Sequence, residues 1–226
     1  MFTKVLKISL LSLAVSAAGA NAAQVAGTVN SKGNVEIVRS GVSQSLNNSS
    51  AAYMINDQLV TSKKAAASVF LKGQKPLLNI LPETNVSVSQ SSPLGVALKS
   101  GTVSATFKPA QTLSINSPES FVSAKALTSG ELVAISESGQ LVVTAKSGSF
   151  NITDANGVTK VLNAADKKAL VVGQGNAQMV NVAALIQNGS PALLYGLGVA
   201  AIIGTVVAIE ASNDDDDDAV SPASTL

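Results

Sequence analysis

The chain contains no cysteine, no histidine and no tryptophan among its 226 residues. Without a thiol or an imidazole, the Ser–His–Asp and Cys–His nucleophile systems, zinc fingers and thiol redox centres are excluded. Charged residues make up 13% of the chain, against about 25% in a typical soluble domain. The formal net charge of +1 provides no overall attraction to nucleic acid. The composition therefore predicts a structural or interaction protein that is not an enzyme, with no catalytic residues, no cofactor and no metal.

The N-terminus has the pattern of a secretory signal peptide. Lys4 and Lys7 precede an apolar stretch over residues 8–18, and Ala22 and the alanine two positions before it supply the small residues that signal peptidase requires. We predict cleavage between Ala22 and Ala23, because the apolar stretch is too short to span about 30 Å of hydrocarbon. The expected location is a periplasmic domain anchored in a bacterial membrane, or the cell envelope or surface.

A second apolar run covers residues 192–209 and contains no charged side chain. At a helical rise of about 1.5 Å per residue it would be about 27 Å long, which is enough to span a bilayer. Gly196, Ala200 and Gly204 recur every four residues, and small residues at this spacing allow two membrane helices to pack closely. The pattern favours a transmembrane helix; a buried or surface-attached helix is the alternative.

Charge is divided unevenly between the body of the chain and its end. Residues 23–190 contain 13 basic and eight acidic side chains, a net charge of +5. Residues 210–226 include five consecutive aspartates at 214–218. Because these aspartates lack the glycine-containing loop of an EF-hand, they predict a solvated, disordered acidic tail and not a calcium site.

Between these ends the apolar residues alternate with polar ones, which predicts short β-strands. In residues 101–108, Val103, Ala105 and Phe107 would face one side and their neighbours the other. Glycines follow at nine-residue intervals, and the segments between them are plausible strands. The Asn156-Gly157 pair favours a type I′ hairpin more strongly than the Ser-Gly pairs. We predict an all-β domain of antiparallel or meandering strands in a sandwich or short β-solenoid, with one helical turn at 164–169. The equally spaced glycines are Gly130, Gly139, Gly148 and Gly157.

The order of the strand motifs resembles a known family. Residues 56–61 read Asn-Asp-Gln-Leu-Val-Thr, and residues 67–73 are an apolar strand that ends in Lys-Gly. Residues 81–88 begin Leu-Pro-Glu-Thr, and residues 98–103 read Leu-Lys-Ser-Gly-Thr-Val. This run is similar to the FecR domain family of bacterial envelope proteins, and the likeness covers roughly residues 27–172. The family-like turn contains Asp57 and Thr61. The resemblance implies a β-rich extracytoplasmic domain.

The chain also departs from the family pattern. Asn56 replaces the usual glycine before Asp57, and the family's Gly-Thr-x-Phe strand motif is missing around residues 124–128. The founding members are transmembrane regulators of iron uptake with a cytoplasmic anti-sigma segment at the N-terminus. Because this chain has a signal peptide in that place, the resemblance does not imply iron signalling to a sigma factor.

Few side chains are candidates for chemistry or for ligand stacking. Ser123 and Lys125 would form a Ser–Lys dyad only if they faced a site, and a solvent-facing strand side is the simpler interpretation. A turn-capping side chain is the leading account of Asp57. The four phenylalanines of the domain lie at apolar strand positions and are expected in the core, which leaves Tyr53 as the available aromatic. Neither a sugar site nor a nucleic-acid site is favoured.

These patterns predict five segments: a signal peptide (1–22), a FecR-like β domain (23–182), a linker (183–191), a transmembrane helix (192–209) and an acidic disordered tail (210–226). The expected function is a protein-interaction or signal-sensing module tethered by its C-terminal helix, with envelope proteins as partners and no nucleic acid. The alternative is a surface or matrix protein that self-associates through the helix or through strand edges.

Overall fold

The structure is a computed structural model that describes residues 25–73, 75–89, 92–173 and 176–187. The predicted signal peptide, transmembrane helix and acidic tail lie outside the described residues, as do Ala22, Ala23, Gly196, Ala200 and Gly204. In the part of the chain that the structure describes, no helix is long and apolar enough to cross a membrane.

The described residues form 17 β-strands, one 3₁₀ turn (Ala164–Asp166) and one short helix, α1 (Val182–Gln187). The prediction of an all-β domain is therefore confirmed. In the first half of the chain the strands are β1 (Val25–Lys32), β2 (Asn34–Arg39), β3 (Val42–Asn47), β4 (Ser50–Met54), β5 (Gln58–Thr61), β6 (Ala66–Leu71), β7 (Leu77–Ile80), β8 (Asn85–Ser89) and β9 (Leu94–Phe107). In the second half they are β10 (Thr112–Ser117), β11 (Ser120–Ala126), β12 (Gly130–Glu137), β13 (Gln140–Ser147), β14 (Ser149–Asp154), β15 (Thr159–Asn163), β16 (Lys168–Gly173) and β17 (Asn176–Asn181).

The strands form two layers that share β9. Sheet A has the order β4-β1-β6-β7-β9-β12-β13-β16-β17. Sheet B has the order β3-β2-β5-β8-β9-β10-β11-β14-β15. The first part of β9 pairs in sheet B and its second part pairs in sheet A, so all the described strands belong to one hydrogen-bonded network. The pairing of β9 with β10 is parallel, and the other recorded pairings are antiparallel.

One hydrophobic core lies between the layers. In β9, Val103, Ala105 and Phe107 point into it as predicted, and the Phe107 ring meets Phe150 of β14 edge to face at 5.2 Å. Leu59 of β5 and Leu113 of β10 contribute from sheet B, and both are fully buried. Successive side chains on a strand point to opposite faces, so the alternation of apolar residues in the sequence supplies one buried row per strand.

The connections alternate between two rims at the opposite ends of the strands. The neutral rim comprises the β1–β2, β3–β4, β5–β6, β7–β8, β10–β11, β12–β13, β14–β15 and β16–β17 connections and the bend of β9 at Ser100 and Gly101. The basic rim comprises the β2–β3, β4–β5, β6–β7, β8–β9, β9–β10, β11–β12, β13–β14, β15–β16 and β17–α1 connections. This division follows from the registers of the paired strands.

The nine-residue glycine spacing reflects this alternation. Gly130 and Gly148 lie on the basic rim, where a Cβ on Gly148 would stand 2.5 Å from the Ser129 carbonyl oxygen. Gly139 and Gly157 lie in connections of the neutral rim. Ser138 and Gly139 both have positive φ and form a two-residue loop of type I′.

The expectation of a type I′ turn at Asn156-Gly157 was wrong. Gly157 has φ of +78°, but Asn156 is not in the left-handed region. The Asp154 carboxylate instead accepts hydrogen bonds from the N–H groups of Asn156 and Val158, each at 2.9 Å. This bonding produces a wider loop, because an aspartate side chain that bonds nearby backbone substitutes for the backbone turn.

The second half of sheet A is apolar on both faces. The outward-facing Val133, Ile135, Val142 and Ala169 form a second cluster, which is covered by α1. Helix α1 contacts it with Val182, Leu185 and Ile186, whose i, i+3, i+4 spacing puts them on one helix face. Part of the segment predicted as a linker is thus a helix packed on the sheet. It buries apolar side chains that strict alternation would have placed in water.

Candidate functional site

Three adjoining cavities lie along the neutral rim. Their volumes are about 560, 320 and 380 Å³. Glu119 borders the first two, and Gly139 borders the first and the third, so the three form one row. The lining comes from several separate connections, among them β10–β11, β12–β13, β14–β15 and β16–β17. Binding sites commonly occupy such loops, because a rigid scaffold holds them in fixed positions.

The lining of the row combines neutral polar, apolar and charged side chains. Gln140, Asn176 and Gln178 border the first cavity. Its apolar part comes from Val171, Val180 and Leu185 of α1. The Glu119 carboxylate packs against Gly139, where a Cβ would approach one carboxylate oxygen to 3.0 Å. Amide and hydroxyl groups both donate and accept hydrogen bonds, and the Glu119 carboxylate accepts them, so the lining can bond to a polar ligand.

Asp57 of the family-like turn lies in the β4–β5 connection, at the basic rim, and its side chain is bonded within the fold. Its side chain is 2% exposed and accepts two hydrogen bonds from Arg39, 2.9 Å to Nε and 2.6 Å to Nη2. It also accepts the backbone N–H of Met54 at 2.8 Å. Asn56 adopts φ of +65° in this turn, which asparagine tolerates better than most residues. The hydrogen bond to Asp57 raises the pKa of the Arg39 guanidinium above its ordinary value.

Tyr53 is buried beside this pair. Its hydroxyl donates to the Asp57 carbonyl oxygen at 2.7 Å and accepts the Val88 N–H at 2.8 Å. Burial raises the pKa of the Tyr53 phenol well above its ordinary value. The phenol thereby joins the β4–β5 connection to β8.

Thr61, the other residue of the family-like turn, is buried, and its hydroxyl forms hydrogen bonds with the β7–β8 connection. Its hydroxyl donates to the Leu81 carbonyl oxygen and accepts the Thr84 N–H at 2.9 Å. The Thr84 hydroxyl forms the same kind of bond with β9, because it accepts the Thr102 N–H at 2.8 Å. Asp57 and Thr61 lie at opposite ends of β5, so they do not form a common site. Both close backbone connections.

The aromatic residues differ from expectation. Tyr53, expected to be available for stacking, is fully buried, whereas Phe70, expected in the core, is 40% exposed. The run of apolar residues in β6 does not reveal which face each occupies. In the structure Ala67 and Val69 face the core, which places Phe70 on the outer face of sheet A.

The Ser123 and Lys125 side chains share the outer face of β11, because Val122, Ala124 and Ala126 between and beside them are buried. This arrangement agrees with a solvent-facing strand side. Among residues 25–73, 75–89, 92–173 and 176–187, no three or more acidic side chains are grouped to hold a metal ion.

No family model matches the chain, and no curated protein matches it in sequence. Two solved crystal structures of a protein described as a candidate anti-sigma factor from Parabacteroides distasonis ATCC 8503 are similar in part. Both superpose with a TM-score of 0.42, at 11% and 12% identity. The superposition covers 54% of this chain and 57% of the other. A similarity at this level carries no argument about function, and the FecR resemblance remains a prediction.

Proposed function

We propose that this chain is a non-enzymatic envelope protein whose FecR-like β domain acts as a protein-interaction or signal-sensing module. The observation that carries the proposal is the row of three adjoining cavities on the neutral rim. The two most buried carboxylates of the domain, Asp57 and Asp154, are engaged in closing turns. Other polar groups that border the cavities, among them those of Gln140, Asn176 and Asn116, are exposed, so a partner chain would reach them.

Charge-bearing substitutions at the cavities test this proposal. Gln140→Arg with Asn116→Arg places bulky cations in the first and second cavities, at two exposed positions. We expect loss of the specific partner when the tagged chain is purified from the envelope of its native host. The matched control is Ser43→Arg with Thr106→Arg, which adds the same charge at exposed positions away from the cavities. Equal recovery of the same partner by both double variants would refute the proposed site.

We further propose that residues 192–209 tether the domain to a membrane. Deletion of residues 191–226 is expected to move the protein into the soluble fraction on cell fractionation. Unchanged membrane association of the shortened chain would exclude the tether.

Self-association is a second candidate function, favoured by the edge strand β3. It carries no charged residue and no proline, and all of its residues except Leu46 are exposed. Unprotected edges of this kind pair with other chains. The neighbouring edge strand β4 is better guarded, because Arg39 donates to its Ala52 carbonyl oxygen at 2.9 Å.

Sedimentation of the exported chain in detergent distinguishes the two functions. Self-association predicts a concentration-dependent oligomer that Gln44→Lys in β3 dissociates and Gln140→Lys on the neutral rim does not. A strict monomer at high concentration would exclude assembly through β3.

A further inference from the structure

The positive charge of the domain is concentrated on the basic rim. This rim carries seven exposed lysines and two carboxylates, Glu131 and Asp166, while Arg39 and Asp57 neutralise each other. Its net charge is therefore +5, equal to that of the whole segment 23–190. The neutral rim has four lysines (Lys32, Lys63, Lys64 and Lys99) and four carboxylates (Glu83, Glu119, Glu137 and Asp154). The lysines of the basic rim are Lys72, Lys75, Lys108, Lys125, Lys146, Lys167 and Lys168.

Backbone hydrogen bonds hold the lysine-bearing connections side by side. The Ala110 N–H donates to the Ala126 carbonyl oxygen and the Leu127 N–H to that of Ser149, both at 2.9 Å. The Ala164 N–H donates to the Gly148 carbonyl oxygen at 3.1 Å. Because these connections are bonded to one another, the lysines at the strand ends lie on one end surface of the domain. Among the lysines of this rim in the described part of the chain, Lys146 forms an ion pair with Glu131 at 3.2 Å.

Large apolar side chains are exposed on this same rim. Val42, the first residue of β3, is 70% exposed, and Leu127 of the β11–β12 connection is 45% exposed. Phe70 is 40% exposed on the outer face of sheet A, two residues before Lys72. Lysine combined with exposed phenylalanine and leucine is the composition of surfaces that bind at the membrane interface.

We propose that the basic rim binds the surface of an anionic lipid bilayer, with Phe70 and Leu127 entering the interface and the lysines contacting lipid headgroups. The rim is an end surface of two layers, which suits a bilayer better than a strand of nucleic acid that would need stacking aromatics. Docking in this way would direct the neutral rim away from the membrane. The inference extends the proposed function but does not depend on it, because the rim's charge and apolar groups act with or without a spanning helix.

Because the chain contains no cysteine, a single introduced cysteine can be labelled specifically. Ser129→Cys, two residues after Leu127, is labelled with an environment-sensitive fluorophore, and Gln140→Cys on the neutral rim is the matched control. The full chain is incubated with vesicles of phosphatidylcholine alone or with phosphatidylglycerol added. We expect the fluorescence emission at position 129 to shift to the blue with the anionic vesicles only, and high salt to reverse that shift. The emission of the label at position 140 should not shift.

Lysine replacement tests the electrostatic part. Each lysine near an anionic surface contributes about five-fold to binding, so Lys108→Gln with Lys125→Gln and Lys168→Gln should lower the ratio of docked to undocked domain about 100-fold. The control Lys63→Gln with Lys64→Gln and Lys99→Gln makes the same charge change on the neutral rim and should leave that ratio unchanged. Replacement of Leu127 by Ser should lower the ratio without changing its salt dependence.

Three results would overturn the inference. They are no shift at position 129, equal shifts with neutral and anionic vesicles, or equal losses in the two triple variants. Binding of the chain to a soluble acidic polysaccharide but not to vesicles would assign the rim to a different partner. None of these results bears on partner recovery by the neutral rim, so the two proposals fail separately.

Discussion

At the scale of single residues, Asp57 is the side chain on which the β4–β5 connection depends. Removing it leaves Arg39 without its carboxylate and the Met54 N–H without an acceptor. Loss of one partner of a buried pair costs about 3–5 kcal/mol. Arg39 is 36% exposed and regains some hydration, which puts the expected loss at the low end of that range.

We therefore predict that Asp57→Ala lowers the free energy of unfolding by about 3 kcal/mol, measured by urea denaturation. The exposed Asp166→Ala is the control and should change it by less than about 0.5 kcal/mol. A loss at Asp57 no larger than that of the control would show that the pair does not stabilise the fold.

Tyr53 gives the domain a predicted sensitivity to high pH. Its pKa is raised by burial, so the folded state keeps the phenolic proton at pH values where the unfolded chain, with a pKa of about 10, loses it. The resulting stabilisation is complete below about pH 10 and is lost as the pH rises above that value.

Tyr53→Phe should lower the free energy of unfolding at neutral pH by about 1–3 kcal/mol, because the Val88 N–H loses its acceptor. Above about pH 10 the decline in stability should be shallower than in the wild type. Unfolding curves measured from pH 7 upwards check both expectations. Parallel pH profiles for the two proteins would contradict the account.

At the scale of elements, the bend of β9 is the point that joins the two sheets. Gly101 has φ of +89°, and a Cβ there would lie 2.5 Å from the Thr84 Cα and 2.6 Å from the Glu83 carbonyl oxygen. Because these are backbone atoms, a Cβ at position 101 would fit only if the whole β7–β8 connection moved.

Gly101→Ala is expected to destabilise the protein by about 3 kcal/mol or more, from strain and from this close contact. Gly157→Ala is the matched control, because that glycine has φ of +78° but nothing within 4 Å of a Cβ. It should cost about 1 kcal/mol, from the backbone conformation alone. Thermal unfolding of both variants measures the difference, and equal losses would mean that the close approach at β9 is unimportant.

We predict that packing of helix α1 on sheet A stabilises the fold. Leu185→Ala with Ile186→Ala removes its contact with Val133 and Ile135 and should cost about 1–2 kcal/mol, since both side chains are half-buried. It should also increase binding of a hydrophobic dye to sheet A. The exposed Ala184→Ser should do neither, and a similar response from that control would argue against docking of α1.

At the scale of the whole molecule, the sequence allowed the fold class to be predicted but not the sites. The alternation of apolar and polar residues in β9 and between the spaced glycines is a local property of the sequence. The strands could therefore be predicted from it. The exposure of Phe70 and the burial of Tyr53 depend on which strands become neighbours, and local residue patterns do not reveal those pairings. The +5 charge was visible, but its concentration on one rim arises from the alternation of connections between the two ends of the strands.

The central claim is that the neutral rim holds a protein partner, and photo-crosslinking tests it most directly. A benzoylphenylalanine residue is introduced at Gln140, beside the first cavity, and separately at the exposed Ser43 of β3 as the control. After irradiation of intact cells of the native host, the account predicts one discrete heterologous adduct from position 140 and none from position 43. Absence of an adduct at Gln140, or adducts of equal yield at both positions, would contradict it.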